Sequence, residues 1–519
     1  MDTKPEYLET ALAEPFGSLP ALVELQARHR PQHRAVVLGE RALTYAELAP
    51  AMERVAARLQ QAGLVPGDVI GVCAGSSVEY LLVYLGALRA GVVVAPLAPS
   101  STAANLDAML ANAQARLLFR DAEVAAEWTL ADASIPCVAL DDSAAGEPWS
   151  RWLAQASGAT AHPIAPQPDW PFNLIYSSGT TGVPKGIIQS WGMRWAHVKR
   201  AEFNGYGPNT VSLAATPLYS NTTLVAALPT LGMGGTLVLM RKFDTAEYLR
   251  LAQREGATHT MLVPVQYQRL MNFAGFDAAD LGQLTTKFCT SAPFKAALKA
   301  EVLRRWPGQL IEYYGMTEGG VGCELHCHRH PDKLHTVGRP RDGVDVRFID
   351  EEGRELPQGE TGEIVGRSSA MMTGYYRLPE KTREAEWFDA AGVRFIRTGD
   401  VGRLDEDGFL VLGDRKKDMI ISGGFNIYPS DIEQVLLQHP QVQECAVVGV
   451  ASEQWGETPV AYAVLRPGES AGAAELQAWL NSRVGKTQRV AELLLVPQLP
   501  RSEIGKVLKR ELREQYERS

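Results

Sequence analysis

Short apolar runs alternate with amphipathic helical patterns through roughly the first four hundred residues, and this restricts the chain to a layered α/β architecture. Runs at 69–74, 92–96, 237–240 and 259–263 have the length and uniform hydrophobicity of strands buried on both faces. Between them, 44–62 places Leu48, Met52, Val55, Ala56 and Leu59 at three- and four-residue spacing. Thr44 with Glu47 three positions later writes a capping box at its start. An amphipathic helix is predicted there. At 519 residues the chain exceeds what one hydrophobic core organises, so two or more lobes are expected.

The texture changes near residue 413. Gly413-Asp414-Arg415-Lys416-Lys417-Asp418 is charged and turn-prone between the apolar runs 409–412 and 419–421. Beyond it, Ser430 and Glu433 suggest a second capping box opening a helix at 431–438. Strand-like runs at 446–450, 460–465 and 493–496 complete a small α+β lobe. The predicted division is therefore a large N-terminal domain at 1–413, a hinge at 414–418 and a small C-terminal domain at 419–519.

The formal charge of −9, with no long Lys/Arg run, argues against nucleic acid as a partner. No apolar run approaches the roughly 20 residues that span a bilayer, and the start has no secretory pattern, so a cytoplasmic protein is expected. Six cysteines in so long a chain do not form a disulfide framework.

The segment 172–188, FNLIYSSGTTGVPKGII, reads as a strand, a Ser/Thr/Gly loop, and a second strand opening at Lys185. Gly179 and Gly182 let backbone N–H groups approach an anion, Ser177, Ser178, Thr180 and Thr181 add hydroxyl donors, and Lys185 adds charge. Such a loop suits phosphate oxygens. It is not a Walker loop, because Gly186 follows Lys185 where Ser or Thr would be required. Tyr313-Tyr314-Gly315-Met316-Thr317-Glu318, Arg397-Thr398-Gly399-Asp400, the 413–433 segment and Pro500-Arg501-Ser502-Glu503-Ile504-Gly505-Lys506 follow in order.

Together these motifs resemble the adenylate-forming superfamily of acyl-CoA synthetases, peptide-synthetase adenylation domains and firefly-type luciferases. The resemblance covers nearly the whole chain from about residue 20. It implies a large N-terminal domain of β-sheets sandwiched with helices, a mobile C-terminal α+β domain, and an ATP-dependent acid–CoA ligase. In that reaction a carboxylic acid and ATP give an acyl-adenylate and pyrophosphate, and coenzyme A then takes the acyl group and releases AMP.

Carried over by motif, residues 177–185 would hold the β- and γ-phosphates, Tyr314 would stack on adenine, and Thr317 would reach the α-phosphate. Tyr313, Gly315 and Met316 complete that nucleotide motif, and Glu318 would hold Mg²⁺. Asp400 resembles the carboxylate that binds both ribose hydroxyls, with Arg415 as a second ribose or phosphate contact. Ser291-Ala292-Pro293 stands where the family has Gly-Ala-Pro against the adenine. Lys506 matches the catalytic cation of adenylation, where charge grows on the bridging oxygens. Lys417 matches the hinge, and Gly423-Gly424 the loop that replaces Lys506 in the thioester step, after a rotation of the small domain.

Trp191, Trp195, Tyr219, Ser220, Asn221 and Gly320 are the expected acyl-pocket residues. Pro217-Leu218-Tyr219-Ser220-Asn221 lacks the bulky gate of many relatives and offers no charge for an ammonium group. An apolar aromatic or medium-chain monocarboxylic acid is therefore expected rather than an α-amino acid.

Cys323-x2-His326-Cys327-His328-x-His330 invites a zinc reading, but the cluster is crowded for the usual ligand spacings. It is read instead as strand and loop beside the pocket. Two rival functions remain open: a stand-alone adenylation enzyme loading a carrier protein in trans, and a catalytically silent homologue acting as a scaffold. Intact Lys185, Glu318, Asp400 and Lys506 disfavour the scaffold. The sequence leaves the oligomeric state open, a homodimer included.

Overall fold

A computed structural model describes residues 4–177, 184–415, 418, 420–422, 425–427, 429–452, 455–485, 488–502 and 505–518. The expected α/β class, with a large N-terminal sheet domain and a smaller C-terminal one, is what the chain adopts. It packs into two compact units. The first comprises Met1–His335, Pro340–Asp345 and Gly366–Ile396, and the second Thr336–Arg339, Val346–Val365 and Arg397–Ser519. That division records packing, whereas the expected hinge at 414–418 concerns motion.

The first unit holds two sheets. One runs in the order Gly374–Tyr375, Lys185–Ser190, Pro171–Ser177, Val93–Pro96, Val69–Cys73, Leu117–Arg120, Cys137–Ala139, Glu147–Pro148. Val93–Pro96, Val69–Cys73 and Leu117–Arg120 pair in parallel, which explains their unbroken apolar sequences. The other runs Gly322–His326, Gln309–Gly315, Thr286–Cys289, His259–Leu262, Val211–Ala214, Thr236–Leu239, Arg34–Leu38, Arg41–Thr44.

The amphipathic pattern at 44–62 forms the helix Tyr45–Gln61. The Glu47 carboxylate accepts from the Thr44 N–H at 2.8 Å, so the predicted cap is made. This helix packs on Val78–Arg89 so closely that a Cβ at Gly86 would collide with Val55. Leu48, Met52, Val55 and Leu59 are fully buried, each worth about 1.5–3 kcal/mol of apolar transfer.

In the second unit, Val442–Ser452 and Gly456–Leu465 form a long antiparallel pair beside Ile420–Ser422 and Phe425–Ile427, with Glu492–Leu495 added in parallel. Pro429–Leu436 and Ala473–Asn481 cover a core of Ile420, Ile432, Leu436, Val447, Leu476 and Leu480. Ser430 lies inside the first turn of Pro429–Leu436. The Glu433 carboxylate accepts from the Val447 N–H at 2.7 Å and pairs with Lys509 at 2.8 Å. No helix among the described residues is long and apolar enough to cross a membrane.

Lys287 sits at 0% exposure in the strand Thr286–Cys289, donates to the Pro307 carbonyl at 2.8 Å and lies over Trp306. Burial pushes its ammonium down from 10.5 to about 7. Below that value the folded state carries the buried charge at full cost. Between there and 10.5 the folded state binds fewer protons than the unfolded one, so this group's effect on stability improves as pH rises. Lys287→Met therefore gains more in Tm near pH 6 than near pH 9, by a few degrees, in thermal unfolding at both values.

Candidate active site

The strand pair Pro171–Ser177 and Lys185–Ser190 is antiparallel, with Ser177 opposite Lys185, so the Ser/Thr/Gly segment is the connection between two buried strands. Ser178, Gly179, Thr180, Thr181 and Gly182 lie outside the described residues, as does the side chain of Ser177. Lys185 is described: its Nζ stands 5.2 Å from the centre of the Tyr375 ring.

Tyr375 also reaches Glu318. Its hydroxyl donates to Glu318 Oε1 at 2.9 Å. Burial, and then the Glu318 charge, push this phenol far up, so it stays a donor. Among the described residues the other Glu318 oxygen accepts no hydrogen bond. Glu318 is further held by its carbonyl, which accepts from the Met372 N–H at 2.7 Å. Tyr375 was not among the residues singled out from sequence. Its only local signal is an apolar edge strand beside Lys185, since it pairs with Ile187.

The motif Tyr313–Glu318 leaves the strand Gln309–Gly315 and turns back into Gly322–His326, with Gly315 opposite Gly322. The turn needs glycine: Gly319 and Gly320 have φ of 73° and 84°, and a Cβ on Gly320 would lie 2.5 Å from the Gly366 carbonyl. Tyr313 stacks on Phe288 at 5.4 Å, and the Tyr313 carbonyl accepts from the Thr290 hydroxyl at 3.0 Å. Next to it, Ser291 adopts φ 79°, the conformation that favours the family's glycine there, and its hydroxyl bonds Thr222 at 2.6 Å. Ala292 and Pro293 follow in the same loop.

Gln189 is a second residue that the sequence reading missed. Fully buried, its amide donates to the Thr317 carbonyl at 3.0 Å and to Asn221 Oδ1 at 3.4 Å. Its own oxygen accepts from Asn173 at 3.1 Å and from Arg194. Ser220 caps the helix Asn221–Gly232 by accepting from the Thr222 N–H at 3.3 Å. The first unit thus brings together Lys185, Thr317, Glu318, Ser291 and Asn221.

The two tryptophans expected in the acyl pocket are both buried in the first unit. Trp191 packs edge-on against Phe172 at 5.1 Å in the main core, and Trp195 lies among Leu8, Leu12 and Leu22. Tyr219 keeps its hydroxyl buried without a hydrogen-bond partner among the described residues.

The Cys/His cluster is divided. Alternation along Gly322–His326 sends Cys323 to one face and Glu324 and His326 to the other, with Nε2 of His326 3.6 Å from Glu324. Burial pushes the Cys323 and Cys327 thiols up to about 12, away from the thiolate a metal would need.

In the second unit Asp400 and Arg415 are opposite one another across an antiparallel ladder, in the strand Arg394–Leu404 where Gly399 has φ 69°. The Asp400 N–H donates to the Thr398 hydroxyl at 3.0 Å, and Arg397 forks onto Glu363 at 3.1 and 2.6 Å. Lys506 sits in a tight loop closed by the Arg501–Val507 bridge, where the Ser502 N–H donates to the Lys506 carbonyl at 2.9 Å and Gly505 has φ 76°. Lys417, Gly423, Gly424 and the Arg415 side chain lie outside the described residues.

The family model for AMP-binding enzymes matches residues 23–376, and that for the AMP-binding enzyme C-terminal domain matches 431–506. The chain belongs to the AMP-binding enzyme family. It is 32% identical over 94% of its length to a fatty acid–[acyl-carrier-protein] ligase, ScoC, of Streptomyces coeruleorubidus, covering 95% of that protein. It is 33% identical over 95% of its length to a feruloyl-CoA synthase of an Amycolatopsis species, covering 97% of it. The structure superposes on ATP-bound MatB from Rhodopseudomonas palustris with a TM-score of 0.83 at 30% identity, covering 95% of this chain and 99% of that one. This member is an acid-activating, AMP-forming ligase, as its motifs led one to expect.

Tyr375→Phe keeps the ring under Lys185 and removes the hydrogen bond to Glu318, an interaction with a charged group worth about 1.5–3 kcal/mol. ATP affinity, read by equilibrium titration, is expected to fall about tenfold or more while Tm changes little.

Proposed function

We propose that this protein joins a carboxylic acid to coenzyme A in two steps. The acid attacks the α-phosphate of ATP, giving acyl-adenylate and pyrophosphate. The thiol of coenzyme A then attacks the acyl carbonyl, giving the thioester and AMP. The observation that carries the reading is the clamp on Thr317 and Glu318: Gln189, Met372 and Tyr375 fix this turn beside Lys185.

In this assignment Lys185 and the hydroxyls and N–H groups of 177–182 bind the β- and γ-phosphates, Thr317 the α-phosphate, and Tyr314 the adenine beside Ser291-Ala292-Pro293. Asp400 accepts from the ribose hydroxyls, with Arg415 beside it. One carboxylate with a free oxygen next to phosphate ligands fits Mg²⁺, which would be held by Glu318 and would neutralise phosphate charge. Lys506 opposes the charge that grows on the bridging oxygens when the two anions meet.

The domain assignment of 1–413, hinge 414–418 and 419–519 stands with it, Lys417 absorbing the rotation that exchanges Lys506 for Gly423-Gly424. We assign the reaction to the cytoplasm, where ATP and coenzyme A are plentiful.

Ser220 and Asn221 are unsuited to an ammonium group, because both side-chain oxygens already accept from the protein and neither is charged. The acid is therefore not an α-amino acid. ATP–pyrophosphate exchange driven by carboxylic acids tests the first step. Thioester formation with free coenzyme A, compared with an acyl carrier protein, tests the acceptor. Exchange absent with every acid would refute the reading.

The two half-reactions should separate genetically. Lys506→Ala is expected to slow adenylation by about 10²–10³-fold and to spare thioester formation from supplied acyl-adenylate. Gly424→Phe should do the reverse by obstructing the thiol's approach. Single-turnover kinetics of each step decides it, and equal slowing of both steps by both variants would refute the alternating assignment.

A further inference from the structure

Behind the Tyr313–Glu318 motif lies a group of cations that the reaction above does not use. Arg341 extends over Gly322, where a Cβ would stand 2.9 Å from its guanidinium carbon, and Gly322 is the strand partner of Gly315. Its Nη1 donates to Glu324 Oε1 at 3.3 Å, while its Nε is buried with no partner among the described residues. Glu324 in turn is opposite Tyr313.

Arg200, partly buried at the end of the helix Trp191–Ala201, feels Arg341, Tyr313 and Glu324. Among the described residues it makes no hydrogen bond or ion pair. The nearest acid in sequence, Glu202, is taken by Lys4. His197 on the same helix has a buried, unpartnered Nδ1.

Glu324 thus bonds one of the two guanidinium groups, that of Arg341, and its carboxylate also lies 3.6 Å from His326. Burial first, and then Arg341, bring Arg200 down to about 10. Burial, then Arg200, Arg194 and Arg341, hold His197 well below its ordinary value, so it is neutral. Burial works to raise Glu324, but His326 and Arg341 keep its carboxyl below the ordinary value, so it is ionised. Charge withdrawn from water is ordinarily paired, and among the described residues Glu324 is the one anion set against Arg200 and Arg341. Contrast Lys299, whose ammonium is buried against Glu312 and the Leu334 carbonyl.

We propose that the acid activated here carries a second oxyanion of carboxylate type at the end remote from the reacting carboxyl, and that Arg200 and Arg341 bind it. This rests on the ligase reading above. The apolar monocarboxylic acid expected from sequence took account of Ser220 and Asn221 but not of Arg200 and Arg341. His197 and Tyr313 add neutral donors beside the anion.

Pyrophosphate exchange with matched pairs, adipate against hexanoate and terephthalate against benzoate, tests it. In at least one pair the diacid should exceed its monoacid about 10²-fold in kcat/KM, as expected where a site built for a polar group meets an analogue lacking it. Arg200→Met and Arg341→Met should each collapse that ratio, mainly through KM for the diacid, and Arg200→Lys should retain part of it. ATP binding by each variant verifies that it is folded. Monoacids equal to or better than diacids in the wild type, or a ratio unchanged in both variants, overturns this inference and leaves the ligase reading standing. Silence with every acid overturns both.

Discussion

Gln189 is fully buried in one sheet of the first unit and donates to the carbonyl of Thr317, which leaves a strand of the other. The bond is made inside the protein, where a lost partner costs the full desolvation of what remains. Removing Gln189 would orphan not only Thr317 but also Asn173 and Arg194, which both donate to its oxygen. The same turn is tied at Glu318 to Met372 and Tyr375, next to the edge of the first sheet. Three hydrogen bonds thus set where the motif hydroxyl and carboxylate stand relative to Lys185. Preorganisation of that kind is what a transition state with growing charge requires, because donors already in place need not reorganise.

The parts of this arrangement that could be read from sequence are those written at short range. Thr44 and Glu47 are three residues apart, and the cap they announce is formed. Apolar runs announced the buried strands to within a residue or two, since hydrophobicity on both faces leaves little choice of structure. Ser430 and Glu433 spell the same cap, but Ser430 lies within the helix Pro429–Leu436 and the Glu433 carboxylate is engaged by Val447 and Lys509. Gln189 and Thr317 are 128 residues apart, and Tyr375 and Glu318 57, so no local spacing could couple them. Trp191 and Trp195, expected to line the acyl pocket, are buried in core clusters, Trp195 in the one that also takes in Tyr313.

Charged side chains in the first unit separate into two kinds by the same logic of burial. Lys299 with Glu312 is complete within the chain: the ammonium has a carboxylate and a carbonyl, so the pair asks nothing of a ligand. Arg200 with Arg341 is not complete, since Glu324 supplies one negative charge to both and to His326 as well. A fold can tolerate such an excess only at some cost in stability, and it would be relieved by any anion that enters. An anion that binds the folded chain alone stabilises it by mass action. The same unmatched charge would therefore select among acids, rejecting those whose far end leaves the guanidinium groups desolvated and unpaired. Selectivity and the cost carried by the empty protein are two aspects of one electrostatic imbalance, placed one strand away from the Tyr313–Glu318 motif.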